Sequence, residues 1–299
     1  HTILRTVTGV QTCALPISTP YEPARHDRPE RSGSMSHPDP VRCLEEVSVD
    51  LVELLRSGVD PDVVALGEWT VCDVAAHLAG LMGVYEGFVR GEVDDADSDV
   101  ESAATRIARA NALGVAGREA MSFDDIVDEF DAAVRSLIDE LKGHDPAEAI
   151  SLWQARPGRP DVVAGLAVSE LLVHGDDIAR AVRRPWPIPA EAARAAFLQL
   201  AWVSPWALDP AKAEGVDASW VVRLRGGGAR WFRVRDGTAE VDEWRGQSTD
   251  CTILARPSSM LLVSYGRRPR WREIAKGNLL AWGRRPWIAV RFPEWFPNP

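Results

Sequence analysis

The sequence predicts a mainly α protein, a four-helix bundle followed by a smaller α+β unit. Three observations carry that expectation. Between residues 38 and 183 apolar residues recur at helical spacing. After Arg-Arg-Pro-Trp-Pro-Ile-Pro (183–189) the pattern turns to short strand-like runs separated by Gly and Pro. The charge changes sign at the same place. Residues 35–190 carry 13 Lys/Arg against 30 Asp/Glu, a net of −17, whereas residues 191–299 carry 17 against 11, a net of +6. That asymmetry sets a boundary near Pro185–Pro189, and 299 residues accommodate two domains of ordinary size. The expected division is a tail at 1–34, a bundle at 35–188 and an α+β domain at 189–299.

The tail reads as non-native or disordered. Val7 to Ile17, VTGVQTCALPI, matches the translation of a common sequencing adaptor in one frame, and it lacks the cationic start and long apolar stretch of a signal peptide. The polar, Pro-rich residues that follow favour disorder, so the natural start is expected at Met35.

Val41, Leu44, Val47, Leu51, Leu54 and Leu55 line one face of a first helix over about 38–57, ended by Gly58 and Pro61. Thr70 with Asp73 is a capping-box pattern that starts a second helix, running to about Arg90. His77 falls in its second turn, facing inward with Val74, Leu78 and Leu81. Gly91 to Glu101 is an acidic loop without calcium-loop spacing, and a further helix is expected over about 99–119. Ser122 with Asp125 opens a helix whose apolar face runs from Phe123 through Phe130 to Leu141. Residues 144–158 form a Pro- and Gly-containing crossing, and Pro160 opens a helix to about Arg183.

Beyond the boundary, about 190–206 reads as an Ala-rich helix. SWVVRLR and RWFRVR around GGGA read as a β-hairpin, and DCTILAR as a third strand. A helix is expected from Pro257, a short last strand at REIAKG (272–277), and a final helix through Trp282 and Trp287. Nine of the 12 Trp lie in this half, and core packing is the expected role for most of them.

The chemistry concentrates in two helices. Glu170 and His174 are one turn apart, on one helical face. Taken singly, His77 reads as a core histidine, and Glu170 with His174 as a surface pair. Yet Leu166, Val168, Leu171, Leu172, Val173 and Ile178 surround that pair, so its helix reads as buried, and a buried carboxylate wants a partner or a metal. Two imidazoles and a carboxylate from two helices can close on one divalent metal and leave positions open for chemistry. Asp73, four residues before His77, either caps the helix or orients the imidazole, and capping suffices to explain it.

WTVCDVAAHLAG (Trp69–Gly80) and ELLVHGDDIARA (Glu170–Ala181) resemble the mycothiol-dependent maleylpyruvate isomerase family. The resemblance covers roughly Met35 to the C-terminus. It implies a DinB-like metal-binding four-helix bundle and a sterol-carrier-like C-terminal domain. It also implies a divalent metal, zinc foremost, held by His77, Glu170 and His174, with mycothiol as thiol cofactor. The implied reaction is isomerisation by thiolate addition and elimination, or S-transfer, on a small electrophilic and anionic substrate. Arg267, Arg268, Arg284 and Arg285 are candidates to pair with substrate carboxylates, surface charge being the ordinary reading of each. A non-catalytic protein, with a metal-stabilised bundle and an apolar ligand in the second domain, is the alternative.

No apolar run reaches membrane-span length, and no nucleic-acid recognition motif accompanies the basic half, which reads as a wall facing a small anion. The four Cys are scattered without a CxxC pair, so a reducing cytoplasm is expected. None is asked to act as nucleophile, and Cys72, in the capping turn, reads as packing. Arg outnumbers Lys 31 to 3, in keeping with a GC-rich, actinobacterial coding sequence.

Overall fold

The computed structural model describes residues 38–92, 115–118, 120–153 and 156–296. The tail at 1–34, nearly all of the acidic loop and most of the helix expected over 99–119 lie outside the described residues.

Four long helices form the bundle: α1 (Pro40–Arg56), α2 (Val71–Arg90), α3 (Phe123–Gly143) and α4 (Pro160–Ala181). Their starts follow local chemistry. Asp39 accepts from the backbone N–H groups of Val41 and Arg42 at the head of α1. Thr70 and Asp73 close a full capping box on α2, with Thr70 N–H donating to Asp73 Oδ2 at 2.8 Å. The Asp73 carboxylate is therefore used by the cap. Ser122 Oγ accepts from Asp125 N–H at 3.2 Å, and Pro160 stands first in α4. Short hairpins precede α2 (β1, Val64–Leu66, with β2, Trp69–Thr70) and α4 (β3, Ile150–Leu152, with β4, Arg156–Gly158).

The apolar faces read from the sequence are the faces that pack. Leu44, Leu51, Leu55, Leu78, Phe130, Leu137 and Leu171 are all fully buried, each contributing about 1.5–3 kcal/mol of burial. α4 is buried along almost its whole length, because α1 and α2 cover one side and α5 (Ala190–Val203) the other. Gly165 permits the approach of α5, since a Cβ there would lie 2.4 Å from Gln199 Cγ.

Helix α5 joins the two halves. Ala192, Ala193, Ala195 and Ala196 belong to the bundle core, whereas Phe197, Leu198 and Ala201 belong to the core beneath the sheet. The sheet has five strands in the order β7-β6-β5-β8-β9. β5 (Asp217–Leu224), β6 (Ala229–Arg235) and β7 (Thr238–Glu243) form an antiparallel meander, with Trp220 opposite Phe232. The turn from β5 to β6 places Gly226, Gly227 and Gly228 all at positive φ, a backbone other residues avoid. β8 (Cys251–Ala255) runs parallel to β5, and β9 (Leu279–Trp282) pairs antiparallel at the edge. α6 (Pro257–Ser264), α7 (Arg270–Ala275) and α8 (Ile288–Trp295) complete this half.

Three features of the second half differ from the sequence expectation. DCTILAR is the fourth strand of the chain's large sheet, because TAEVDE forms the edge strand β7. REIAKG is not a strand: Arg270–Ala275 is helical, with Pro269 before it, and Gly277 follows at positive φ. The last strand is Leu279–Trp282 instead, so Trp282 lies in a strand and the final helix begins only after Trp287. The aromatic residues also divide. Trp220 stacks on Phe232 with centroids 5.2 Å apart, and Phe292, Trp295 and Phe296 close around it. By contrast Trp271, Trp282 and Trp287 are exposed, so core packing does not explain them. Among the described residues no helix is long and apolar enough to cross a membrane.

Candidate metal centre

His77 comes from the second turn of α2, and Glu170 and His174 from the middle of α4. One donor atom from each lies within 4.8 Å of the other two, and all three residues are buried. The imidazoles of His77 and His174 meet edge to face at 5.2 Å, and Trp69 stands 5.2 Å from His77 on its other side. Glu170 Oε2 lies 3.3 Å from His174 Nε2. Two ring nitrogens and a carboxylate at this separation fit a small divalent ion, whose bonds to such donors are about 2.0–2.2 Å.

Two further groups approach the cluster. Asp177 has a fully buried side chain, and its Oδ2 lies 3.4 Å from His174 Nδ1. This is a close ionic approach without hydrogen-bond alignment, and Nδ1 has no hydrogen-bond partner. Arg267 fixes Asp177 in turn, with Nε 3.2 and 3.1 Å from the two carboxylate oxygens and Nη2 2.9 Å from Oδ2. The Arg267 Nη1 group donates to the Tyr265 carbonyl at 3.0 Å. Tyr265 sends its hydroxyl to Glu170 Oε1 at 3.3 Å, with Ser169 Oγ 2.7 Å away.

This packing sets the proton affinities. Burial, reinforced by His174, pushes His77 down to about 3, so its imidazole is neutral. Burial also disfavours a charged His174, but Asp177 and Glu170 outweigh it and hold His174 above its ordinary value. Burial disfavours the Glu170 carboxylate, yet His174, His77 and Arg267 together hold it below the ordinary carboxylate range. Asp177 is likewise lowered against its burial by His174 and Arg267. A neutral imidazole and an ionised carboxylate are the forms a metal takes as ligands.

The four candidate arginines do not form one wall. Arg267 is buried against Asp177, and Arg268 pairs with Asp176 at 3.0 Å. Arg284 and Arg285 pair with Asp250, in the sheet half, and touch no member of the cluster. Sequence reading missed Asp177 and Tyr265 as neighbours of the site. Asp177 lies three residues after His174 in GDD, so its place on the helix was visible, but its partner is 90 residues away. Burial raises the thiols of Cys72 and Cys251, and that of Cys43 to about 11, so none of these is an activated nucleophile. Cys13 lies outside the described residues.

Residues 41–179 match the family model for the mycothiol maleylpyruvate isomerase N-terminal domain. The fold is similar to a crystal structure of a mycothiol-dependent maleylpyruvate isomerase bearing a histidine-to-alanine mutation. That match covers 83% of this chain and 93% of the other, at 12% identity and a TM-score of 0.50. A second structure, titled as the mycothiol-dependent maleylpyruvate isomerase, aligns with the same coverage at 13% identity and a TM-score of 0.49. No curated protein matches the chain. The helical bundle, residues 41–179, thus resembles the mycothiol maleylpyruvate isomerase N-terminal domain, and the likeness of fold extends over 83% of the chain.

Proposed function

We propose that this protein is a metal-dependent enzyme that uses a small thiol, mycothiol, to isomerise or S-transfer a small electrophilic, anionic substrate. The observation that carries the reading is the buried His77, Glu170 and His174 cluster within a fold of this family. Those three residues would hold the ion, for which an N₂O donor set favours zinc. When bound there, the metal lowers the pKa of a coordinated thiol as it does that of water, which supplies a nucleophile at neutral pH.

The chain's own residues prepare that chemistry. Glu170 contributes a negative charge that balances a cation, and His77 is already neutral. Asp177 faces His174 Nδ1, which leaves Nε2 turned toward Glu170 and the cluster. Trp69 walls off His77 and excludes water from that side. No protein thiol is needed, in keeping with the raised cysteines. A sterol-carrier-like fold for residues 189–299 fits a five-stranded sheet with helices packed against it. The rings around Trp220 pack against one another in the core of this half. None of the four arginines is assigned the substrate carboxylate. The absence of a membrane-spanning helix among the described residues, with the raised free thiols, fits a cytoplasmic site of action.

The test is product formation from a panel of electrophilic acids with mycothiol, with another thiol and with none, each with and without zinc. Turnover is expected only with metal and thiol together. Equal rates without any thiol would remove the cofactor and leave metal-activated water as the nucleophile.

A further inference from the structure

The segment Tyr265-Gly266-Arg267 belongs to the sheet half, yet it reaches both ligands that α4 contributes. It follows α6, and Arg267 N–H and Arg268 N–H both donate to the Leu262 carbonyl, at 2.8 and 3.2 Å. Gly266 at φ +69° makes the tight reversal that helix ending requires. Tyr265 and Arg267 thereby both face α4. Tyr265 is 5% exposed and packs in the bundle core, although its helix springs from strand β8.

The two contacts have one logic. Each proposed ligand on α4 has two polar atoms, one turned toward the cluster and one toward this segment or toward Asp177, which the segment contacts. Glu170 turns Oε2 toward His174 and Oε1 toward the Tyr265 hydroxyl. Ser169 Oγ donates to the Leu166 carbonyl at 2.7 Å, so the Tyr265 hydroxyl is the donor that faces both Ser169 Oγ at 2.7 Å and Glu170 Oε1 at 3.3 Å. His174 turns Nε2 toward Glu170 and Nδ1 toward Asp177, which Arg267 grips through both oxygens. His77, in contrast, is braced from within the bundle, by Trp69. A carboxylate that could rotate thus meets a hydroxyl from the other half of the molecule, and an imidazole that could flip faces Asp177, which Arg267 from the other half and Arg180 from α4 hold together.

We propose that Tyr265 and Asp177, the latter braced by Arg267, are positioning residues, and that the Tyr265–Arg267 segment makes metal affinity depend on docking of the sheet half onto the bundle. This rests on the reading of His77, Glu170 and His174 as the metal ligands. Arg267 thereby acts on the ligands and leaves substrate recognition to other groups. Neighbours that orient metal ligands are worth about 10- to 100-fold in affinity.

The test uses the full chain as wild type, Tyr265→Phe, Asp177→Asn and His77→Ala. Each protein is titrated with zinc against a chromogenic chelator, and with cobalt(II) followed by its visible absorption. Tyr265→Phe and Asp177→Asn are each expected to bind zinc about 10- to 100-fold more weakly, with displaced cobalt bands. Phe keeps the packing of the Tyr265 ring and loses only its hydroxyl, so the metal-free thermal midpoint of that variant is expected to fall by no more than about 2–4 °C. A wild-type affinity and cobalt spectrum in Tyr265→Phe would overturn the proposal, whether or not Asp177→Asn folds. So would a lowered metal-free midpoint with affinity unchanged, which marks a purely structural residue. Zinc binding that is equal in wild type and His77→Ala, or absent from wild type, sinks the ligand assignment itself and is read separately from the bracing.

Discussion

In the helical half, Glu170 and Asp177 keep side-chain exposures of 11% and 0% while facing a histidine whose proton affinity they raise. In the sheet half, Asp217 is 57% exposed and lies between Arg233 and Arg235 at 3.2 Å each. The same residue types thus meet at similar distances under opposite conditions. An exposed pair is screened by water and worth little. A buried charge costs several kcal/mol to desolvate and persists only where partners hold it. Around His77, Glu170 and His174 several such groups meet where a cation would offset the cost, whereas Arg230, Asp250 and Glu273 of the sheet half are buried apart from one another. The sheet half keeps most of its charge at the surface, and only the Tyr265–Arg267 segment enters the buried network.

Removing one of the proposed ligands is the largest test of that contrast. His77→Ala and His174→Ala are each expected to abolish tight zinc binding, measured as metal content after dialysis, because a three-residue site cannot lose one donor and stay tight. Full occupancy in both variants would mean that the buried charges serve the fold alone.

Packing around the ligands gives the next effect. Gly175 directly follows His174, and a Cβ there would lie 2.3 Å from the Trp186 ring. That indole donates to the Leu172 carbonyl at 3.1 Å, so it is anchored to α4 and cannot withdraw freely. Gly175→Ala is expected to destabilise by about 1–3 kcal/mol, the usual range for overpacking. Chemical denaturation read by Trp fluorescence measures it. An unchanged midpoint would show that Trp186 moves aside, and that the motif Gly has another cause.

The helical half should also couple metal to protons. His77 is neutral down to about 3, so only His174, held above its ordinary value, has a proton to lose. Below the pH at which His174 loses that proton, zinc binding should release about one proton and affinity should fall about tenfold per pH unit, and above it affinity should level off. Calorimetry in buffers of different ionisation enthalpy counts that proton. A flat affinity across the range would show that His174 is already neutral in the metal-free protein.

How far the sequence carried this picture follows from the range of each interaction. The caps at Thr70–Asp73 and Ser122–Asp125 span three residues, and Glu170 with His174 spans four, so both were readable from spacing. His77 was readable because the polar residue sits inside an apolar helix. Tyr265 and Arg267 were not readable as neighbours of the site, because they meet Ser169, Glu170 and Asp177 across 90 to 96 residues and a domain boundary. Strand β7 escaped because TAEVDE has one large apolar residue and lies at a sheet edge. β9 escaped for the reverse reason: Leu280 and Trp282 are apolar but exposed, so LLAW shows no alternation to read.

The smallest expected effect separates the arginines that one sequence pattern grouped together. Arg284 is 80% exposed and pairs with Asp250. Asp250 keeps other partners, since it also accepts from Ser219 N–H at 3.0 Å and lies 3.6 Å from Arg285. Arg284→Gln therefore leaves no carboxylate stranded, and both thermal midpoint and zinc affinity should match the wild type. Arg267→Gln is the matched change in the buried network. It leaves Asp177, with a fully buried side chain, only Arg180 at 2.6 Å and His174 to balance its charge, and it should lower both quantities. Zinc titration and thermal denaturation of the two variants side by side decide the matter. Equal losses in both would show that the two arginines play similar parts, and that burial of the arginine itself is not what separates the halves.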